Sequence, residues 1–334
     1  MNLLNSTSSA IVAAVGLSFL AASAHANTVY YAEVGFGDAI ERQLIPTTLA
    51  ASTNEDIVSL PGLDPRAVAL DVDAGKIYYT FGTSIGRANL DGSSQETVIS
   101  GLLGGSGDIE LDTTTDTLYF SVDSGTNADR SISRVQTDGT GLATVHTNTS
   151  LAPNNGGGLT YTINDVANIS LDTDAGRLYW TSDNGANAGR IALNSSTLAG
   201  GGVTRQFTAS GRADAINKMD IDFDTSTVYY TVGSDTQEVR SSTLGGGSIT
   251  TLASGLGSPR AIGIDTTDGL MYFSVGGTLY KANLDGTART SVSVNGSSLY
   301  SIADIQVDTT PIPEPTSLSL LALSGLALLG RRRV

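Results

Sequence analysis

The sequence predicts an all-β protein, a six-bladed β-propeller of four-stranded antiparallel blades closed by pairing of its N- and C-terminal strands. Three observations lead there. The first is composition: charged residues make up 15% of the chain, lysines occur only at 76, 218 and 281, and there are 39 glycines. Gly with abundant Ser, Thr, Asp and Asn favours turns, and the Tyr/Val/Ile/Thr runs favour strands. The second is a repeat. Aromatic pairs begin at Tyr30, Tyr78, Tyr119, Tyr179, Tyr229 and Tyr272, spaced by 48, 41, 60, 50 and 43 residues, the length of a blade of four short strands. The third is a circular permutation. An aspartate stands seven residues before five of the pairs (Asp71, Asp112, Asp172, Asp222, Asp265), the first pair lacks one, and a sixth copy ending at Asp308 has no pair after it. The two halves complete each other if Ala303–Asp308 pairs with Thr28–Val34.

Residues 66–101 show the grammar of one blade. Strands are expected at Ala67–Leu70, Lys76–Phe81, Ile85–Asn89 and Glu96–Ile99, linked by Asp-Ala-Gly, Gly-Thr-Ser and Asp-Gly-Ser-Ser, all turn-forming sequences. A short carboxylate at Asp71 can accept backbone N–H bonds from its turn. The same acidic turn recurs as "LDTDAG", "IDFDTS" and "IDTTDG", so capping is preferred to a metal pair. Adjacent strand residues point to opposite faces, and each aromatic pair is therefore expected to fill the gaps on both sides of its sheet. Nine of the twelve tyrosines and the single Trp180 sit in these pairs. They are packing residues, not a sugar platform.

The pairs, read with "YKANLDGTARTSV" and "GRANLDGSSQETVI", resemble the YWTD six-bladed propellers of the low-density lipoprotein receptor family and its bacterial relatives over roughly residues 28–308. The resemblance implies the propeller fold and a binding role. This chain departs from the family in lacking Asp as the fourth motif residue: Glu33 comes nearest, and Asp123 and Asp183 fall one position late.

The two ends read as addresses. Residues 1–26 hold an apolar run from Ala10 to Ala22 and finish in Ala24-His25-Ala26, the small-x-small pattern of a secretory leader cleaved after Ala26. The n-region has no Lys or Arg. Residues 311–334 contain Pro313-Glu314-Pro315, an apolar run and Arg331-Arg332-Arg333. This tail resembles the PEP-CTERM sorting signal of Gram-negative bacteria that make exopolysaccharide. The apolar run is short for a permanent span, which needs about 20 residues, and the arginines would stay cytoplasmic. The resemblance implies transient inner-membrane anchoring by a short transmembrane helix, processing by exosortase, and a final place at the cell surface or in the matrix. Residues 27–310 are left as the propeller.

Composition narrows the function. A net charge of −15 supplies no basic stripe for nucleic acid. With no cysteine, and with His146 the only histidine outside the leader, thiolate sites are excluded and zinc or triad chemistry would rest on His146 alone. Blade-to-blade links and second-to-third-strand loops share one propeller face, so loops 122–130, 148–168 and 182–190 are expected together. Ligand contacts are assigned there to Asp123, Arg130, Asn154, Asn155, Tyr161, Asp183 and Arg190, because function favours loops on a rigid scaffold. No cofactor is required. Ca²⁺ is the ion these loops suit, through Asp123, Asn127, Asp129, Asp183 and Asn184, since it takes several oxygen ligands. The preferred function is a non-catalytic module binding extracellular protein or exopolysaccharide. The alternative is a metal-dependent, lactonase-like hydrolase or lyase using Asp108, Glu110, Asn168, Lys218, Asp220 and Asp304 on the innermost strands.

Overall fold

The computed structural model describes residues 26–35, 38–45, 53–123, 130–147, 168–183, 191–208, 216–233, 236–292 and 301–312. Every regular element among them is a strand. Blade one contains β1 (Ala26–Val34), β2 (Ala39–Ile45) and β3 (Thr53–Ser59). Blade two is β4 (Pro65–Asp71), β5 (Lys76–Phe81), β6 (Ser84–Asn89) and β7 (Glu96–Ile99). Its first and third strands run slightly longer than the turn residues suggest. Blade three is β8 (Gly105–Asp112), β9 (Thr117–Asp123), β10 (Ser131–Gln136) and β11 (Ala143–Thr147). Blade four is β12 (Ile169–Asp172), β13 (Arg177–Asp183), β14 (Ile191–Thr197) and β15 (Thr204–Thr208). Blade five is β16 (Ile216–Asp222), β17 (Thr227–Val232), β18 (Glu238–Thr243) and β19 (Thr250–Ala253). Blade six is β20 (Pro259–Asp265), β21 (Leu270–Val275), β22 (Thr278–Asn283) and β23 (Thr290–Ser291).

The last strand, β24 (Ser301–Ile312), joins blade one, giving the order β24-β1-β2-β3. Its antiparallel register sets Thr28 against Asp308 and Val34 against Ser301, as the permuted half-motifs require. The last strand covers the edge of β1 that would otherwise be open and joins the two chain ends in one blade.

The aromatic pairs do what their spacing implies. The first member of each faces the following blade and the second faces the preceding one, so each inter-blade gap receives one ring from either side. Tyr30 meets Tyr79, Tyr78 meets Phe120, and Tyr119 meets Trp180. Tyr179 meets Tyr230, Tyr229 meets Phe273, and Tyr272 meets Tyr31. All six acidic turns are capped by their aspartate. The Asp71, Asp172 and Asp222 carboxylates accept the amides of Ala74, Ala175 and Thr225. Asp112, Asp265 and Asp308 accept those of Thr114, Thr267 and Thr310. Burial works against the charge of Asp112, yet bonds from Thr114 and Thr115 hold its carboxyl below the ordinary value.

Candidate binding face and axial channel

The innermost strands β24, β4, β8, β16 and β20 each break register with the second strand of their blade near their starts. Such bulges re-aim side chains, and they free an amide that needs a partner. The third motif residue, Ser or Thr in five copies, supplies it. The hydroxyls of Thr80, Ser121, Thr231 and Ser274 accept the N–H of Ala67, Asp108, Lys218 and Ala261. Three of them also donate to the next blade: Thr80 to Gly107 O, Thr231 to Arg260 O and Ser274 to Ile302 O. The recurring hydroxyl was visible in the sequence, but its role was not.

On the axis, carboxylates reach from one blade to the next. Asp304 accepts the Val68 amide, Asp108 that of Ile169 and Asp220 that of Ile264. The other oxygens of Asp108 and Asp304 converge on Lys218, at 2.6 and 3.0 Å from its Nζ. Burial works to lower the Lys218 pKa, but the two carboxylates outweigh it and hold the ammonium charged. Burial pushes both Asp220 and Asp304 up to about 6. It drives Glu110 well above its ordinary value, helped by the neighbouring charges of Asp108, Asp220 and Asp304. The sequence-derived channel set therefore does converge, with Lys218 in the place of a cation. Asn168 does not bond to that set and donates instead to Thr181 Oγ1 and Asn217 O. Among the described residues no three acidic or histidine side chains are placed to hold a metal.

Above this plug a cavity of about 510 Å³ opens on the face of the blade-to-blade links, lined by Arg66, Asp123, Asn217, Lys218, Arg260 and Ser301, among others. Arg66 and Arg260 stand at matching places in two identical tripeptides, Pro65-Arg66-Ala67 and Pro259-Arg260-Ala261. Each proline opens an inner strand, where a missing N–H is tolerated. Each follows a non-glycine residue with positive φ, Asp64 at 47° and Ser258 at 62°. Arg260 is fixed further: Asn217 Nδ2 donates to Pro259 O at 2.7 Å, and Arg260 itself donates to Ser301 Oγ at 3.0 Å. Burial, and then the charge of Arg66, lower its pKa. These arginines were not among the sequence-derived candidates, although the repeated tripeptide was there to be read.

Of those candidates, Asp123 lines the cavity and forms an ion pair with Arg130 at 2.9 Å. Asp183 ends β13. Asn127, Asp129, Asn154, Asn155, Tyr161, Asn184 and Arg190 lie outside the described residues, as do Pro313, Glu314, Pro315, Arg331, Arg332 and Arg333; Ala26 begins β1. Among the described residues no helix is long and apolar enough to cross a membrane. His146 is buried: its Nε2 lies 2.8 Å from Ser196 Oγ and its ring 4.8 Å from that of Trp180. Burial lowers its pKa to about 4, which makes it a neutral core residue.

A second carboxyl group lies on blade one. Tyr31 donates to Glu41, and Asn54 Nδ2 donates to the same carboxylate. Burial pushes Glu33 up to about 9, aided by its hydrogen bond to Glu41. Glu33 is thus a proton donor at neutral pH.

Solved structures share this architecture. The chain is similar in fold to nidogen. The nidogen chain of a nidogen–laminin complex superposes with a TM-score of 0.66 at 18% identity, over 86% of this chain and 100% of that one. TolB from Acinetobacter baumannii gives 0.60 at 14% identity, over 84% of this chain and 66% of that one. A TolB from Agrobacterium tumefaciens gives 0.56 at 11%, over 81% and 89%. No protein-family profile and no curated protein matches the sequence. At these identities the likeness concerns the fold.

Proposed function

We propose that this protein is an exported propeller, processed by exosortase, that binds protein or exopolysaccharide at the cell surface or in the extracellular matrix without chemical turnover. One observation carries the reading. Lys218 and its two aspartates occupy the axis where a propeller hydrolase would need free ligands, and the open cavity lies just above, on the loop-bearing face. The leader and the Pro-Glu-Pro tail support export and sorting. Nidogen, solved with laminin, is a protein of this fold in a complex with another protein.

The test is retention of native exopolysaccharide and co-secreted proteins by immobilised full-length protein. One of the two should be held specifically, and retention of neither would sink the reading. Intact-mass analysis of protein released by an exosortase-bearing host should show loss of Leu318–Val334. Lactone hydrolysis that needs added Ca²⁺ and vanishes in Asp220→Asn would favour the enzyme instead.

A further inference from the structure

Among the described residues, five basic side chains of this acidic protein pair with acids. Arg42 pairs with Glu55, Arg87 with Glu96, Arg130 with Asp123, Arg240 with Glu238 and Lys218 with Asp108 and Asp304. Arg66 and Arg260 are among the bases with no acid partner, and these two share one cavity. Among the described residues Arg66 has no hydrogen-bond or ion-pair partner, and Arg260 has only the Ser301 hydroxyl. The chain has 18 bases against 33 acids, yet it holds two uncompensated guanidiniums at one cavity mouth. Each lies two residues after a left-handed backbone position, Asp64 and Ser258, so the same local geometry presents both. The acids facing them are engaged already: Asp123 by Arg130, and Asp108 and Asp304 by Lys218.

We infer that the channel mouth is a carboxylate-binding site, in which Arg66 and Arg260 take the oxygens of a small hydroxylated acid with the chemistry of a uronic acid unit. The inference rests on the reading of this face as the binding face. Arginine forks match the planar pair of carboxylate oxygens. Asn217, Ser258 and Ser301 on the wall offer partners for hydroxyl groups, and among the described residues no aromatic side chain lines the cavity. A volume of about 510 Å³ falls in the range of small-ligand pockets. Arginine forks match phosphate too, and failure of inorganic phosphate to compete with glucuronate is the expected result.

The experiment is calorimetric titration of the full-length protein at low ionic strength with glucuronate, glucuronamide and N-acetylglutamate amide. Glucuronate should bind, and glucuronamide, which lacks only the charge, should bind at least about tenfold more weakly. Arg66→Gln and Arg260→Gln should each weaken glucuronate binding about tenfold or more, with unchanged melting temperature. Absence of glucuronate binding by the wild type, or equal binding of glucuronamide, would overturn the inference. Equally tight binding of N-acetylglutamate amide would overturn its hydroxylated part. If matrix polymer or protein is retained equally by wild type and both variants, the carboxylate site falls and the binding-module reading stands. If glucuronate binds as described but nothing from the matrix is retained, the site stands and that reading falls.

Discussion

At Gly92, where φ is 80°, an added Cβ would lie 2.0 Å from the carbonyl oxygen of Ile57 on the preceding blade. At Gly75, where φ is 66°, it would meet nothing within 4 Å. Both need a left-handed backbone, but only the first also needs the empty space. Gly92→Ala should therefore cost roughly 3 kcal/mol or more, combining overpacking with strain, against about 1 kcal/mol for Gly75→Ala. Urea denaturation of the two variants checks this, and equal costs would refute the packing argument. Lys218 is bound by an analogous logic of neighbours. Lys218→Met leaves Asp108 and Asp304 without their counter-ion, and removing one partner of a buried pair costs about 3–5 kcal/mol. Lys218→Met/Asp108→Asn should recover part of the loss, because fewer charges are then stranded.

The inner strand and its neighbour act as a unit through the third motif residue. Thr231 accepts the Lys218 amide freed by the bulge and donates to Arg260 O in the next blade. Thr231→Val keeps the shape but strands both groups, at a cost of about 1–3 kcal/mol. Thr231→Ser should be milder by more than half of that. Closure is the larger case. β24 contributes the innermost strand of blade one, and its Asp304 bonds Val68 of blade two and Lys218 of blade five. A chain ending before Ser301 should lose its cooperative thermal transition; one that melts like the full chain would contradict closure as the source of cooperativity.

Across the molecule, buried carboxyls set the response to pH. Asp220 and Asp304 are raised to about 6 and Glu33 to about 9, so the folded state binds these protons more tightly than the unfolded chain. Their contribution is present below the unfolded values, near 4, and is lost as pH rises through the folded ones. His146, lowered to about 4, has the opposite sign and restores some stability between about 4 and 6.5. Above that range Glu33 remains, and stability should decline towards pH 9. Denaturation across a pH series should show this limb flattened in Glu33→Gln, and an unchanged slope would count against the shared proton with Glu41.

The sequence by itself determined the blade count, the closure and the packing of the aromatic pairs. Those properties follow from spacing along the chain: a strand alternates faces with period two, and an aspartate such as Asp71 caps an amide three residues on. Only the tertiary structure decided which charges meet. Lys218 and Asp108 are 110 positions apart, and Arg66 and Arg260 belong to different blades, on either side of the blade that joins the two chain ends. Nothing local requires an acid to stand beside a base or two arginines to stand together. Their meeting depends on ring closure and on the bulges near the starts of five inner strands, and a linear reading of spacing carries no information on how far such bulges rotate a side chain.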